Sequence, residues 1–155
     1  MRFLVGSDHA GIALRGVIVA HLSARGHAVE EIGPAEGERS DYPEPAAVVA
    51  RAVAVARGVV GDAAAETRGV LICGTGIGMS IAANKIHGVR AALVHDPLTA
   101  RLAGEHNAAN VLCLGARLLA PEYATLCVDT WLDARFEARH QVRIDKIGAI
   151  EKAGG

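Results

Sequence analysis

The sequence predicts an α/β domain, a three-layer α/β/α sandwich built on a five-stranded parallel sheet. Three observations carry this. Short apolar runs alternate with longer stretches of helical spacing along all 155 residues. The strand candidates are mostly apolar on both faces, as strands covered by helices on each side must be. No internal repeat and no long linker divides the chain, so residues 1–155 form one domain large enough to bury its own core.

Taken in order, "RFLVGS" (2–7) is the first strand. Leu14, Val17, Ile18, His21 and Leu22 recur at helical spacing within 10–25, and Gly26 suits the stop. "AVEEIG" (28–33) is a second strand, and "GPAEGERSDYPEP" (33–45) carries loop breakers throughout. The alanine- and valine-rich stretch 44–65 reads as a helix, with fraying expected after Gly58. "GVLICG" (69–74) is a third strand, followed by a helix over 77–87 that Asn84-Lys85 closes. "RAALVH" (90–95) is a fourth strand, and Asp96-Pro97 starts a helix to about Glu105. "NVLCLG" (110–115) is the fifth strand. Pro121 opens a helix ending near Arg135, and a last helix covers about 140–152. Such a Rossmann-like sheet is joined by right-handed crossovers.

Composition excludes several classes of function. A formal net charge of −1 gives no general attraction to nucleic acid or an anionic membrane, so any anion must be held by local groups. Thirteen of the 16 basic residues are arginine, the better phosphate fork. Cys73, Cys113 and Cys127 form no CxxC pair, which argues against a disulfide framework and a zinc knuckle. The first residues lack the apolar core and cleavage site of a signal peptide, and no apolar run reaches membrane-span length. A reducing, cytoplasmic location is the expectation.

Ligands of a doubly wound sheet bind beyond the carboxyl ends of its strands. Ser7, Asp8 and His9 follow the first strand, and Cys73, Gly74, Thr75, Gly76 and Gly78 follow the third. His95 and Asp96 follow the fourth, and Gly115 and Arg117 the fifth. The alternating glycines let backbone N–H groups converge on an anion or oxyanion. A tight turn fits the glycines equally well. GxGxxG would need glycine where Met79 stands, and GxxxxGK[ST] is absent, so a nucleotide loop is disfavoured. Cys73 immediately precedes a helix start, where N–H groups favour negative charge on sulfur, although a strand-end cysteine is more often inert core. Cys113 and Cys127 read as core. Asp8 alone fits a helix cap, and His106 alone fits a solvated helix end. Arg139 and Arg143, four apart, share one helical face, as a phosphate clamp or as a surface pair.

Together, "GSDHAG" (6–11), "SDYP" (40–43), "CGTGIGMSIAANK" (73–85), "EHNAANVLCLGAR" (105–117) and "RHQVRIDKI" (139–147) resemble the type B ribose-5-phosphate isomerases. That family also includes galactose-6-phosphate isomerase subunits. The resemblance spans about residues 2–150. It implies aldose–ketose isomerisation of a sugar phosphate through a cis-enediolate, without metal or organic cofactor. Cys73 would be the base that shuttles the proton. Thr75 and the N–H groups of Gly74, Gly76 and Gly78 would hold the enediolate oxygens, and His106 would open the sugar ring. Asp8, Tyr42 and Asn107 would contact or orient hydroxyls, while His9, Arg117, Arg139 and Arg143 would bind phosphate. The family's dimers and tetramers share sites between subunits, so the C-terminal helix would contact a partner and a monomer would be inactive.

One branch of the family takes its base from a glutamate six residues after the cysteine position. Met79 stands there, which keeps Cys73 in that role. The segment 53–69 is longer than the family leads one to expect. Ribose 5-phosphate is the default substrate, with allose 6-phosphate, galactose 6-phosphate and a tetrulose phosphate as alternatives. A phosphate- or nucleotide-binding regulatory module is the alternative from another class.

Overall fold

The computed structural model of the chain describes residues 1–56 and 67–154. Its strands are β1 (Arg2–Ser7), β2 (Ala28–Ile32), β3 (Thr67–Cys73), β4 (Ala91–Leu93) and β5 (Val111–Gly115). They pair in parallel in the order β2-β1-β3-β5-β4. The helices among the described residues are α1 (Ile12–Ala24), α2 (Pro43–Ala56), α3 (Ile77–Ala83), α4 (Pro97–Glu105), α5 (Pro121–Asp133) and α6 (Gln141–Ala153). None is long and apolar enough to cross a membrane.

Strand residues alternate between two cores, one on each face of the sheet. Phe3, Val5, Val70, Ile72, Leu112 and Leu114 meet α1, α4 and α5, where Trp131 is fully buried. Leu4, Leu71, Cys73, Val111 and Cys113 meet α2 and α3. This is the predicted three-layer sandwich. Helix α6 belongs to neither core. None of its residues is buried, and Val142, Ile147 and Ile150 are exposed.

Element boundaries follow local chemistry. Asp96 caps α4, its carboxylate accepting the Thr99 N–H at 2.8 Å, and these bonds hold its carboxyl below the usual range. Helix α3 stops at Ala83, short of the expected residue 87. The Asn84 amide donates to the carbonyls of Ser80 and Ala91 at 2.9 Å and accepts from the Ala91 N–H at 2.8 Å, turning the chain into β4. The helix expected over 44–65 starts at Pro43 and is described to Ala56. The rest of it, and most of the long 53–69 segment, lies outside the described residues.

Arg15 ties the first crossover to the loop after β2. Its guanidinium, nearly buried, bonds Glu31 at 2.6 Å, the Ser7 hydroxyl at 3.0 Å and the Pro34 carbonyl at 2.8 Å. Arg15→Ala strands these acceptors, so about 2–3 kcal/mol of stability should go, lowering Tm by roughly 5–10 °C in a thermal melt. An unchanged melt would mean that water replaces the guanidinium at no cost.

Candidate active site

The direction of strand addition changes between β1 and β3, because β2 lies on one side and β5 and β4 on the other. A crevice opens beyond the carboxyl ends at such a point. From β1 come Asp8 and His9. The Asp8 carboxylate accepts the Ala10 N–H at 2.9 Å, and the Asp8 N–H reaches the Ile72 carbonyl of β3 at 3.2 Å. His9 Nδ1 lies 3.0 Å from the Ser40 carbonyl oxygen, which only accepts, so the ring carries hydrogen on Nδ1. That contact anchors the "SDYP" loop beside β1.

Cys73 ends β3 with its side chain among residues of the α2–α3 core, and is 5% exposed. Its Sγ accepts the Gly76 N–H at 3.1 Å, a contact that stabilises negative charge on sulfur. Thr75 Oγ1 accepts the Ile77 N–H at 3.3 Å, which leaves the hydroxyl hydrogen to be donated elsewhere. Gly76 has φ +78°, a left-handed conformation that disfavours other residues. A Cβ on Gly78 would come within 2.8 Å of the Tyr42 ring, so the absence of a side chain lets that ring lie on the loop. The Arg117 guanidinium lies against Gly74, 3.2 Å from where a Cβ would stand. Met79 is fully buried and points no group of acid–base character at the site. Burial pushes the Cys113 thiol far up and that of Cys127 to about 11, so both stay protonated. The structure thus brings Asp8, His9, Tyr42, Cys73, Gly74, Thr75, Gly76, Gly78 and Arg117 to one edge.

His106, Asn107, Arg139 and Arg143 do not join them. Helix α4 carries the chain back to the amino edge, where His106 caps it and Val111 starts β5 opposite Gly69. Cys73 stands four residues along β3 from Gly69, which is roughly 13 Å of strand away. The turn after α5 docks at the same amino edge, the Glu137 N–H donating to the Glu105 carbonyl at 2.9 Å. The His106 and His140 rings lie against each other at a tilt of 32°, with centroids 4.2 Å apart. Arg139 Nε donates to Glu137 Oε2 at 2.6 Å, and Arg143 Nη1 lies 2.9 Å from His140 Nδ1. Arg139 sits in a 3-10 turn (Ala138–His140) preceding α6, so the two arginines do not share one continuous helix, yet both reach this cluster. Asn107 lines a cleft of about 750 Å³ between α6 and the β4 edge, with Arg90, Ile147 and Ile150.

Sequence reading missed Ser40, Glu137 and His140. The signal for the last two was "EARH", which puts a carboxylate three residues before an imidazole. The Arg139 bond holds the Glu137 carboxyl below its usual range, while burial lowers the His140 pKa, helped by His106 and both arginines and opposed by Glu137. His140 is therefore neutral at pH 7. A guanidinium can only donate, so His140 Nδ1 accepts from Arg143 and the ring hydrogen sits on Nε2. Ligand atoms of His106, Glu137 and His140 all lie within 4.8 Å of one another, a spacing that could hold a metal ion. The Nε2 hydrogen and two neighbouring guanidinium groups oppose a cation there.

The family model described as Ribose/Galactose Isomerase matches residues 3–147. Ribose-5-phosphate isomerase B of Escherichia coli (strain K12) is 47% identical over 148 residues, covering 95% of this chain and 94% of that protein. The structure of Clostridium thermocellum ribose-5-phosphate isomerase B matches with a TM-score of 0.90 and 43% identity, over 100% of both chains. A Mycoplasma genitalium ribose-5-phosphate isomerase B solved with bound ribulose-5-phosphate matches at TM-score 0.89 and 41% identity, covering 97% of this chain and 96% of that one.

Proposed function

The chain belongs to the ribose/galactose isomerase family, and from that premise we propose that it interconverts ribose 5-phosphate and ribulose 5-phosphate at a site completed by a second copy of itself. The observation that carries the chemistry is the Gly76 N–H on the Cys73 sulfur, with the Thr75 hydroxyl beside it in the same loop. A sugar C2 above that loop meets a base and hydrogen-bond donors together. Cys73 takes the C2 proton, and the Thr75 hydroxyl and the loop's N–H groups bear the charge on the cis-enediolate oxygens. The proton returns to C1 while the O2 hydroxyl hydrogen passes to O1, turning aldose into ketose. The Gly76 N–H serves the sulfur, which leaves the oxygens to Thr75 and the N–H groups of Gly74 and Gly78.

The sugar arrives as a ring, and His106 opens it by passing a proton between the anomeric hydroxyl and the ring oxygen. Within one chain His106 and Cys73 lie at opposite edges of the sheet, so the working pair spans two copies. The apolar face of α6 supports this, since Val142, Ile147 and Ile150 gain cover from a partner. His9 and Arg117 hold the phosphate from one copy and Arg139 and Arg143 from the other, while Asp8, Tyr42 and Asn107 contact hydroxyls.

Incubation with ribose 5-phosphate, allose 6-phosphate, galactose 6-phosphate and a tetrulose phosphate tests the reading. The five-carbon sugar should give the highest kcat/KM. Tight nucleotide binding without turnover of any sugar phosphate would instead favour a regulatory module. Arg139, with its side chain 70% exposed, has donors left for phosphate beyond its bond to Glu137. Arg139→Ala should raise KM about tenfold with kcat within about threefold. Unchanged kinetics would place Arg139 on an ordinary solvated face.

A further inference from the structure

We propose that Glu137 is a positioning residue for the ring-opening histidine, acting through His106 without touching the sugar. The inference rests on the ring-opening role given to His106 above. A single carboxylate oxygen, Glu137 Oε2, faces both imidazoles, 3.9 Å from His106 Nε2 and 3.4 Å from His140 Nε2. Arg139 bonds that same oxygen at 2.6 Å. The backbone fixes the rest, because the Glu137 N–H bonds the carbonyl of Glu105, the residue just before His106. The Glu137 carbonyl in turn accepts the His140 N–H at 2.9 Å. Glu105 is itself turned to Arg101 at 2.9 Å and offers His106 no competing carboxylate.

The surroundings of His106 explain why a carboxylate is needed there. The His140 ring lies tilted against it, and Arg139 and Arg143 stand around the pair. A proton arriving on His106 during ring opening meets two guanidinium groups and a second imidazole. Glu137 is the counter-charge on that side, its Oε2 3.9 Å from His106 Nε2. The His140 Nε2 hydrogen is buried without a hydrogen-bond partner and faces the same oxygen, so the second ring acts as a wall that keeps the first in place. An exposed ion pair built only for stability would contribute little, and its loss would leave catalysis alone.

The test is a double-mutant cycle between Glu137→Gln and His106→Asn, read on two substrates. Ribose 5-phosphate must be opened. Ribulose 5-phosphate cannot close into a five-membered ring, because its C5 hydroxyl carries the phosphate, and deuterium uptake at its C1 reports enediolate formation alone. Glu137→Gln should cut kcat on ribose 5-phosphate about tenfold, leave KM and deuterium uptake within about twofold, and add no loss in the His106→Asn background. Losses that multiply in the double variant would overturn the proposal, as would a raised KM at intact kcat, which would assign Glu137 to Arg139 and the phosphate. Wild-type turnover by His106→Asn itself would instead remove the ring-opening reading on which the proposal stands. Should Glu137→Gln fail to fold, Glu137→Asp keeps the charge with a shorter reach. It should show the same confinement of its loss to ribose 5-phosphate, and equal loss on both substrates would overturn the proposal.

Discussion

Cys73→Ala is expected to lower turnover of ribose 5-phosphate by about 10³- to 10⁴-fold, roughly 4–5.5 kcal/mol of transition-state stabilisation, with little change in KM. The loss is large because neither Met79 nor Cys113 can take over. Met79, where one branch of the family carries its glutamate, is buried and has no proton to exchange. Cys113 is fully buried in the same core and its thiol is held protonated by desolvation. The fold should survive, since alanine keeps the strand end and removes one sulfur from a position already 5% exposed. Binding should survive too, because the proposed phosphate and hydroxyl contacts are assigned to other residues. An alanine variant with near-wild-type turnover would show that the proton is carried by another group.

His106→Asn is the second large effect, and its signature is a difference between substrates. Turnover of ribose 5-phosphate should fall about 100-fold, the usual contribution of a positioned acid–base group. Deuterium uptake at C1 of acyclic ribulose 5-phosphate should change far less, because the proposed chemistry of Cys73 and Thr75 needs no ring opening on it. His106 caps α4 with its backbone, the N–H donating to the Leu102 carbonyl at 2.9 Å, so the substitution leaves the helix end intact. Equal losses on both substrates would mean that His106 acts on the enediolate or on the assembly, and the ring-opening assignment would fall.

Much of the fold was legible because parallel strands are apolar on both faces and helices between them carry period and caps. Thr67–Cys73 and Val111–Gly115 stand out as runs, and Asp96-Pro97 and Pro121 mark helix starts by chemistry that acts within a few residues. The stop of α3 at Asn84 was legible, but not the bond that makes it, to Ala91, on a strand not yet formed when the helix is read alone. The carboxyl-edge half of the site followed from topology, because loops after parallel strands share an edge whatever their spacing in the chain. The other half did not. Placing His106 against Glu137 and His140 takes the docking of the turn after α5 on the end of α4, a contact between residues about thirty apart that leaves no periodic trace. Glu137 looks like any surface acid until that contact is seen.

If Cys73 of one copy works with His106 of another, mixing two inactive variants restores activity. Cys73→Ala and His106→Asn chains, each nearly inactive alone, are co-expressed or refolded together and assayed on ribose 5-phosphate. With sites shared across a two-fold, half of the randomly assorted dimers are mixed and each mixed dimer holds one intact site. Specific activity should therefore recover to about a quarter of wild type. Activity no higher than the average of the two parents, in a sample shown to contain mixed dimers, would contradict the claim and return the whole site to a single chain.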